Sequence, residues 1–168
     1  MQIKMAVLVI VIILIALIAL NYYNLAPKGI ITASVVEKSE GLVLRYERVR
    51  YPTRATVESP ESDVVGFDIS DEHLNFGEVP AGGGGSRSLN IRNSENRAIK
   101  IKLEAYGNIS SFISFDMNNF ILQPGQEVKV EVSFDTEETT EKGEYTGEID
   151  ITKTLSKNAL GDVFLGWF

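Results

Sequence analysis

The sequence predicts an all-β fold, an antiparallel β-sandwich, preceded by one transmembrane α-helix. Three observations carry that reading. Beyond residue 30, short runs of alternating apolar and polar residues recur at close spacing, divided by Gly, Asn and Pro turns. No long amphipathic helical pattern competes with them. Ahead of residue 30, every position from Val7 to Leu20 is Val, Ile, Leu or Ala.

Twelve of those fourteen N-terminal positions are Val, Ile or Leu, which favours membrane insertion by on the order of −5 kcal/mol. A helix over residues 5–23 would reach roughly 28 Å, close to the hydrocarbon thickness of a bilayer. Tyr22 and Tyr23 suit the headgroup layer. Lys4 and the α-amino group place residues 1–4 in the cytoplasm and the rest of the chain outside the cell membrane, with Lys28 weakening the contrast. The apolar core is longer than that of a cleaved secretory signal, and "LIALNYYNLA" matches an A-x-A cut site poorly. The alternative is a pilin-like or other subunit of a surface filament or envelope complex, which also begins with a charged leader and an apolar helix. The glycine and the acidic residue expected around a pilin cleavage site are both missing.

Pro27 and Gly29 end the helical pattern and make 24–29 a linker. Residues 30–63 read as a hairpin, with strands at 30–36 and 42–51 around a loop at 37–41, followed by an irregular Pro-containing connection with a short β-prone stretch at 55–57. Residues 64–152 read as the sandwich, with strands at 64–69, 74–76, 87–93, 98–105, 113–117, 120–122, 127–134 and 143–152. In "EVKVEVSF", Val128, Val130, Val132 and Phe134 share the inward face, as Ile99, Ile101 and Leu103 do in "AIKIKLEAY". Residues 153–168 form an apolar C-terminal tail. Rows at Leu155, Ala159, Val163 and Trp167, and at Leu160, Phe164 and Phe168, fit a short amphipathic helix that packs on the domain, the membrane or a partner.

Phe76-Gly77 with Val79, a glycine turn, a strand ending in Asn93, an aliphatic strand, Pro124-Gly125 before the alternating strand, and Gly143-x-Tyr145-x-Gly147 leading to Ile149 and Ile151 form an ordered pattern. It resembles the immunoglobulin-like modules of the ASH (ASPM-SPD2-Hydin) and major-sperm-protein-like group. Asp135-Thr136 stands where that group often carries a proline. The resemblance implies an immunoglobulin-like sandwich acting as a non-catalytic scaffold or binding module. It brings no active-site residues with it.

The chain holds 16 Lys+Arg against 23 Asp+Glu, a net charge of −7, which disfavours nucleic acid as a partner. It has no cysteine, which removes thiolate chemistry, disulfides and iron–sulfur clusters. The run Gly82 to Gly85 lacks the Gly-Lys-Ser/Thr ending of a phosphate loop and leads into a strand, not a helix. His73 is the one histidine, and its neighbours Asp68, Asp71 and Glu72 match no metal-ligand spacing. No catalytic, cofactor or metal residues are expected, and no enzyme activity.

The partners expected are membrane lipid along residues 5–23 and a protein, either another envelope component or a second copy. Arg45, Tyr46, Arg48, Arg50 and Tyr51 form a basic, aromatic hairpin, a candidate for docking on an acidic surface. Trp167 and Phe168 are candidate contacts at the tail. The acidic stretch from Glu131 to Asp150 is its counterpart in sign, and Asn108-Ile109-Ser110 is a glycosylation sequon on the predicted outer side.

Overall fold

Among the described residues the alternating segments form nine strands: β1 (Val35–Glu40), β2 (Leu44–Glu58), β3 (Leu74–Pro80), β4 (Gly84–Arg92), β5 (Ile99–Gly107), β6 (Ile113–Phe115), β7 (Phe120–Leu122), β8 (Glu127–Asp135) and β9 (Gly143–Ser156). The computed structural model describes residues 31–41, 43–59, 73–158, 161–162 and 165, with Leu8, Val11 and Ile12 near the start. Most of the span expected at 5–23, the linker 24–29, the strand expected at 64–69, and Trp167 and Phe168 lie outside the described residues. Among the described residues no helix is long and apolar enough to cross a membrane.

The strands build two facing sheets. The larger has the order β1-β2-β9-β5-β7 with β3 also on β2, and the smaller the order β4-β8-β6. All pairings are antiparallel except β2 with β3, which is parallel. Alternation turns Ala55 and Val57 of β2, Ile99, Ile101 and Leu103 of β5, Val130, Val132 and Phe134 of β8, and Ile149 and Ile151 of β9 into the space between the sheets. Phe76 and Phe134 meet at 5.6 Å between ring centroids, and Phe112 stands edge-on to Tyr145 at 4.9 Å. Each fully buried aliphatic or aromatic side chain of this kind contributes about 1.5–3 kcal/mol.

Several boundaries differ from the sequence reading, and each difference has a local cause. The hairpin loop shortens to the turn after Gly41, whose N–H donates to the Leu44 carbonyl at 2.8 Å, so Glu37 to Glu40 become strand. β2 continues through Pro52 to Glu58. The Lys157 N–H donates to the Val43 carbonyl, which fixes the phase of the β2–β9 ladder: odd residues of β2 bond to β9, and even residues face away from it. Pro52, an even position, falls after β1 leaves the edge of β2 at Arg50 and before β3 joins at Thr53. Its missing N–H faces the gap between two neighbours, where a central strand tolerates proline. The hairpin is therefore part of the large sheet and not an accessory to a sandwich beginning at residue 64.

The glycine run divides between two roles. Gly82 turns the chain with φ +80, while Gly84 and Gly85 already belong to β4. Two side chains then complete the sheets where strands fall short. Asn93 is fully buried, donates to the carbonyls of Arg97 and Leu122 at 2.8 and 2.9 Å, and accepts from the Glu95 N–H. Asn118 both accepts from the Leu103 N–H and donates to the Leu103 carbonyl, at 2.8 Å each, extending the edge of β5 beyond the short β7.

Gly147 faces Gly107 across the β5–β9 ladder. A Cβ at Gly147 would strike the Tyr106 carbonyl and the Ile109 side chain. Gly147→Ala is expected to destabilise the fold by about 1–3 kcal/mol through overpacking, read as a lower urea midpoint with an unchanged slope.

Candidate functional site

β2 and β9 pair over fourteen positions, Leu44↔Ser156 to Val57↔Gly143, and their alternation sets two faces. One meets the small sheet. The other turns away from it and carries Arg48 and Arg50 of β2 beside Glu148, Asp150 and Thr152 of β9. Although this is the outer face of the large sheet, Arg48 is 3% exposed, Arg50 4%, Glu148 2% and Asp150 0%.

The Arg50 guanidinium donates through Nη2 to both Glu148 carboxylate oxygens, at 2.9 and 2.7 Å, and through Nη1 to Glu37 Oε1 of β1 at 3.3 Å. Burial works against its charge, but the Glu148 hydrogen bond and the charges of Glu148, Asp150 and Glu37 outweigh it and raise its pKa above the usual arginine value. Asp150 stands between the arginines, with Oδ2 3.6 Å from Arg48 Nε and Oδ1 3.9 Å from Arg50 Nε. Its carboxylate oxygens and the Arg48 Nε and Nη1 are buried without hydrogen bonds. Burial, with the charge of Glu148, pushes the Asp150 carboxyl up to about 7 despite the pull of Arg48 and Arg50. Burial next, with Glu104 and Asp150, pushes the neighbouring Tyr106 hydroxyl up to about 12.

Arg48 and Arg50 are thus not an exposed docking patch. The acidic surface that complements them is the chain's own β9, brought alongside by antiparallel pairing. Tyr51 lies on the opposite face and packs on both parts of the core. Arg45 stays partly exposed and pairs with Glu95 at 3.1 Å. Tyr46 is half-buried, and burial raises its hydroxyl pKa. The five hairpin residues therefore divide between two faces of one strand. Reversing Arg48 and Arg50 to glutamate would disrupt the fold before any partner contact, since breaking a buried pair typically costs about 3–5 kcal/mol.

The remaining candidates lie apart from this network. His73 Nε2 stands 3.3 Å from the Thr32 carbonyl; Asp68, Asp71 and Glu72 lie outside the described residues, and no group of possible metal ligands occurs among those described. Asn108 is exposed, and its Oδ1 accepts from the Thr146 N–H at 2.7 Å. At the tail, the Gly161 N–H donates to Asn158 Oδ1 at 3.0 Å, Ser156 Oγ bonds Asp162, and Leu165 is buried. The start of the tail therefore packs on the end of the sheet.

A family model described as HYDIN/CFA65/VesB-like, Ig-like domain matches residues 66–159, more than half of the chain. The chain belongs to the HYDIN/CFA65/VesB-like Ig-like domain family. No curated protein matches it. The family match takes in β3 to β9 and leaves β1 and β2 outside, so the arginine half of the buried network comes from chain that precedes the matched residues.

The sequence signal for the network was present in two places. Arg48 and Arg50 share a face at spacing two, and Glu148 and Asp150 do the same with opposite sign. Only the pairing of β2 with β9 joins them.

The raised Asp150 pKa has a definite sign. The folded chain holds this proton more tightly than the unfolded chain, so the stability gained is full below about pH 4, the ordinary aspartate range, and is lost as pH rises through the folded value. Urea midpoints at pH 5 and pH 8 should fall more steeply with pH for the native chain than for Asp150→Asn. Equal slopes would contradict the assignment.

Proposed function

We propose that this chain is a membrane-anchored, non-catalytic module that displays its Ig-like sandwich outside the cell membrane and acts there in adhesion or assembly. The observation that carries the reading is the uninterrupted apolar stretch Val7 to Leu20 ahead of a module of the HYDIN/CFA65/VesB-like Ig-like family. Extended over residues 5–23 the segment has the length and composition of a single span, and Lys4 sets its orientation. Contacts would then fall on exposed strand edges and loops, because the charged network of β2 and β9 is closed to an outside partner. Among the described residues the longer edge strands are β1, with Val35 and Val36 exposed, β3 and β4.

The absence of cysteine makes the topology directly measurable. Ser114 is exposed on β6. In intact cells, Ser114→Cys in the full chain is expected to react with a membrane-impermeant maleimide without lysis, and the protein is expected to stay in the pellet after alkaline carbonate extraction. Labelling that needs lysis, or release by carbonate, would contradict the reading.

A further inference from the structure

Among the described residues no strand pairs with β4 on the side away from β8. The Thr136 N–H donates to the Gly83 carbonyl at 2.9 Å and the Asn93 N–H to the Gln126 carbonyl at 2.8 Å. These two bonds fix the phase of the β4–β8 ladder: odd residues of β4 bond to β8, and Gly84, Ser86, Ser88, Asn90 and Arg92 turn their N–H and C=O groups to the other side. All five are exposed. The strand is nine residues long, holds no proline, and its register with β8 runs without a bulge.

Edge strands are ordinarily blunted by charge, proline, a bulge or shortness. The other edges follow that rule: β3, which pairs with β2 alone, carries Glu78, ends in Pro80 and is interrupted by a register shift against β2. β6 and β7 have three residues each, and β1 carries Lys38 and Glu40 on its outward row. That row follows from the Gly41–Leu44 bond, which sets the odd residues of β1 against β2. On β4 the row that turns its backbone outward is uncharged from Gly84 to Asn90 and ends in Arg92, while the alternate row carries one charge, Arg87, whose Nε donates to the Asn75 carbonyl of β3 at 2.9 Å.

We propose that β4 pairs antiparallel with β4 of a second copy about a two-fold axis at Ser88, joining the small sheets of two molecules into one continuous sheet. The register follows from the strand ends. Centred on Ser88, it sets Ser86 against Asn90 and Gly84 against Arg92 of the other copy, and every outward N–H and C=O finds a partner.

The charges agree with this register. Asp135 of β8 pairs with Gly84 on the same sheet face as Arg92, and its carboxylate lies over Gly84, in the space a Cβ would occupy. Strands in a sheet lie about 4.8 Å apart, so the long Arg92 side chain of one copy, passing over the bare Gly84 of the other, meets that carboxylate. Two such Arg92–Asp135 contacts form, one on each side of the axis. On the other face each Arg87 stands opposite Leu89 of the second copy, and the two Arg87 residues are diagonal neighbours across the axis.

This inference names a partner for the assembly role proposed above and rests on that role alone, not on membrane insertion, which the maleimide experiment reads separately. The full chain, purified in detergent, is expected to sediment as a dimer. With no native cysteine, Ser88→Cys should cross-link to itself through a short bifunctional methanethiosulfonate, since Cα atoms of a hydrogen-bonded antiparallel pair lie about 5.5 Å apart. Ser114→Cys, on the far edge of the same sheet, should not. Arg92→Glu should weaken dimerisation by about tenfold, and adding Asp135→Arg should restore it; both positions are exposed, and the urea midpoint of each variant reads separately the cost of Arg92→Glu opposite Glu127. A monomer, equal cross-linking at Ser88 and Ser114, or a double variant no tighter than Arg92→Glu would overturn the pairing.

Discussion

The antiparallel ladder between β2 and β9 is the constraint on which the rest of the structure depends. It runs from Leu44↔Ser156 to Val57↔Gly143 and decides both faces of the large sheet at once. On the inner face it brings Ala55, Val57, Ile149 and Ile151 toward the small sheet. On the outer face it sets Arg50 on Glu148 and Asp150 beside Arg48. A shift of β2 by one residue would turn its own two rows over, exposing Ala55 and Val57, driving Arg48 and Arg50 into the apolar core and leaving Glu148 and Asp150 of β9 without them. The native register is the one in which the apolar rows of β2 and β9 and the Arg50–Glu148 pair are satisfied together.

That constraint also explains how charge is distributed over the molecule. A basic hairpin and an acidic C-terminal strand look like two surfaces for two partners when taken separately. Paired, Arg48 and Arg50 meet Glu148 and Asp150 within one chain, so neither is a separate surface. The same logic places the proline of β2. Pro52 sits where β1 has ended and β3 has not begun, so a fifteen-residue strand can serve two different neighbours along one side without a broken hydrogen bond.

Much of the fold could be read from residues. The alternation in "EVKVEVSF" and "AIKIKLEAY" identified β8 and β5 and their inward rows, because period two is a local property. The turn at Gly82 and the importance of Asn93 and Gly147 entered through the resemblance to a family, and the structure supplies their reasons: a positive φ, a buried amide bonded on both sides, and a place where two backbones approach too closely for a Cβ. Strand ends were less legible. Pro52 normally interrupts a strand, and only the identity of the neighbours on each side shows why it does not here. The ion network was the least legible feature, since Arg50 and Glu148 are far apart in sequence and meet through a pairing that no local pattern specifies.

If β2 is integral to the sandwich, its amides bonded to β9 should be as protected as those of the core. Native-state hydrogen exchange on the full chain tests this most directly. The amides of Val49, Tyr51 and Thr53 should exchange only through global unfolding, with the same opening free energy and denaturant dependence as Ile151 of β9 and Val132 of β8. Exchange of those three amides through a separate low-energy opening, with β9 and β8 still protected, would show that the hairpin docks on a sandwich that stands without it.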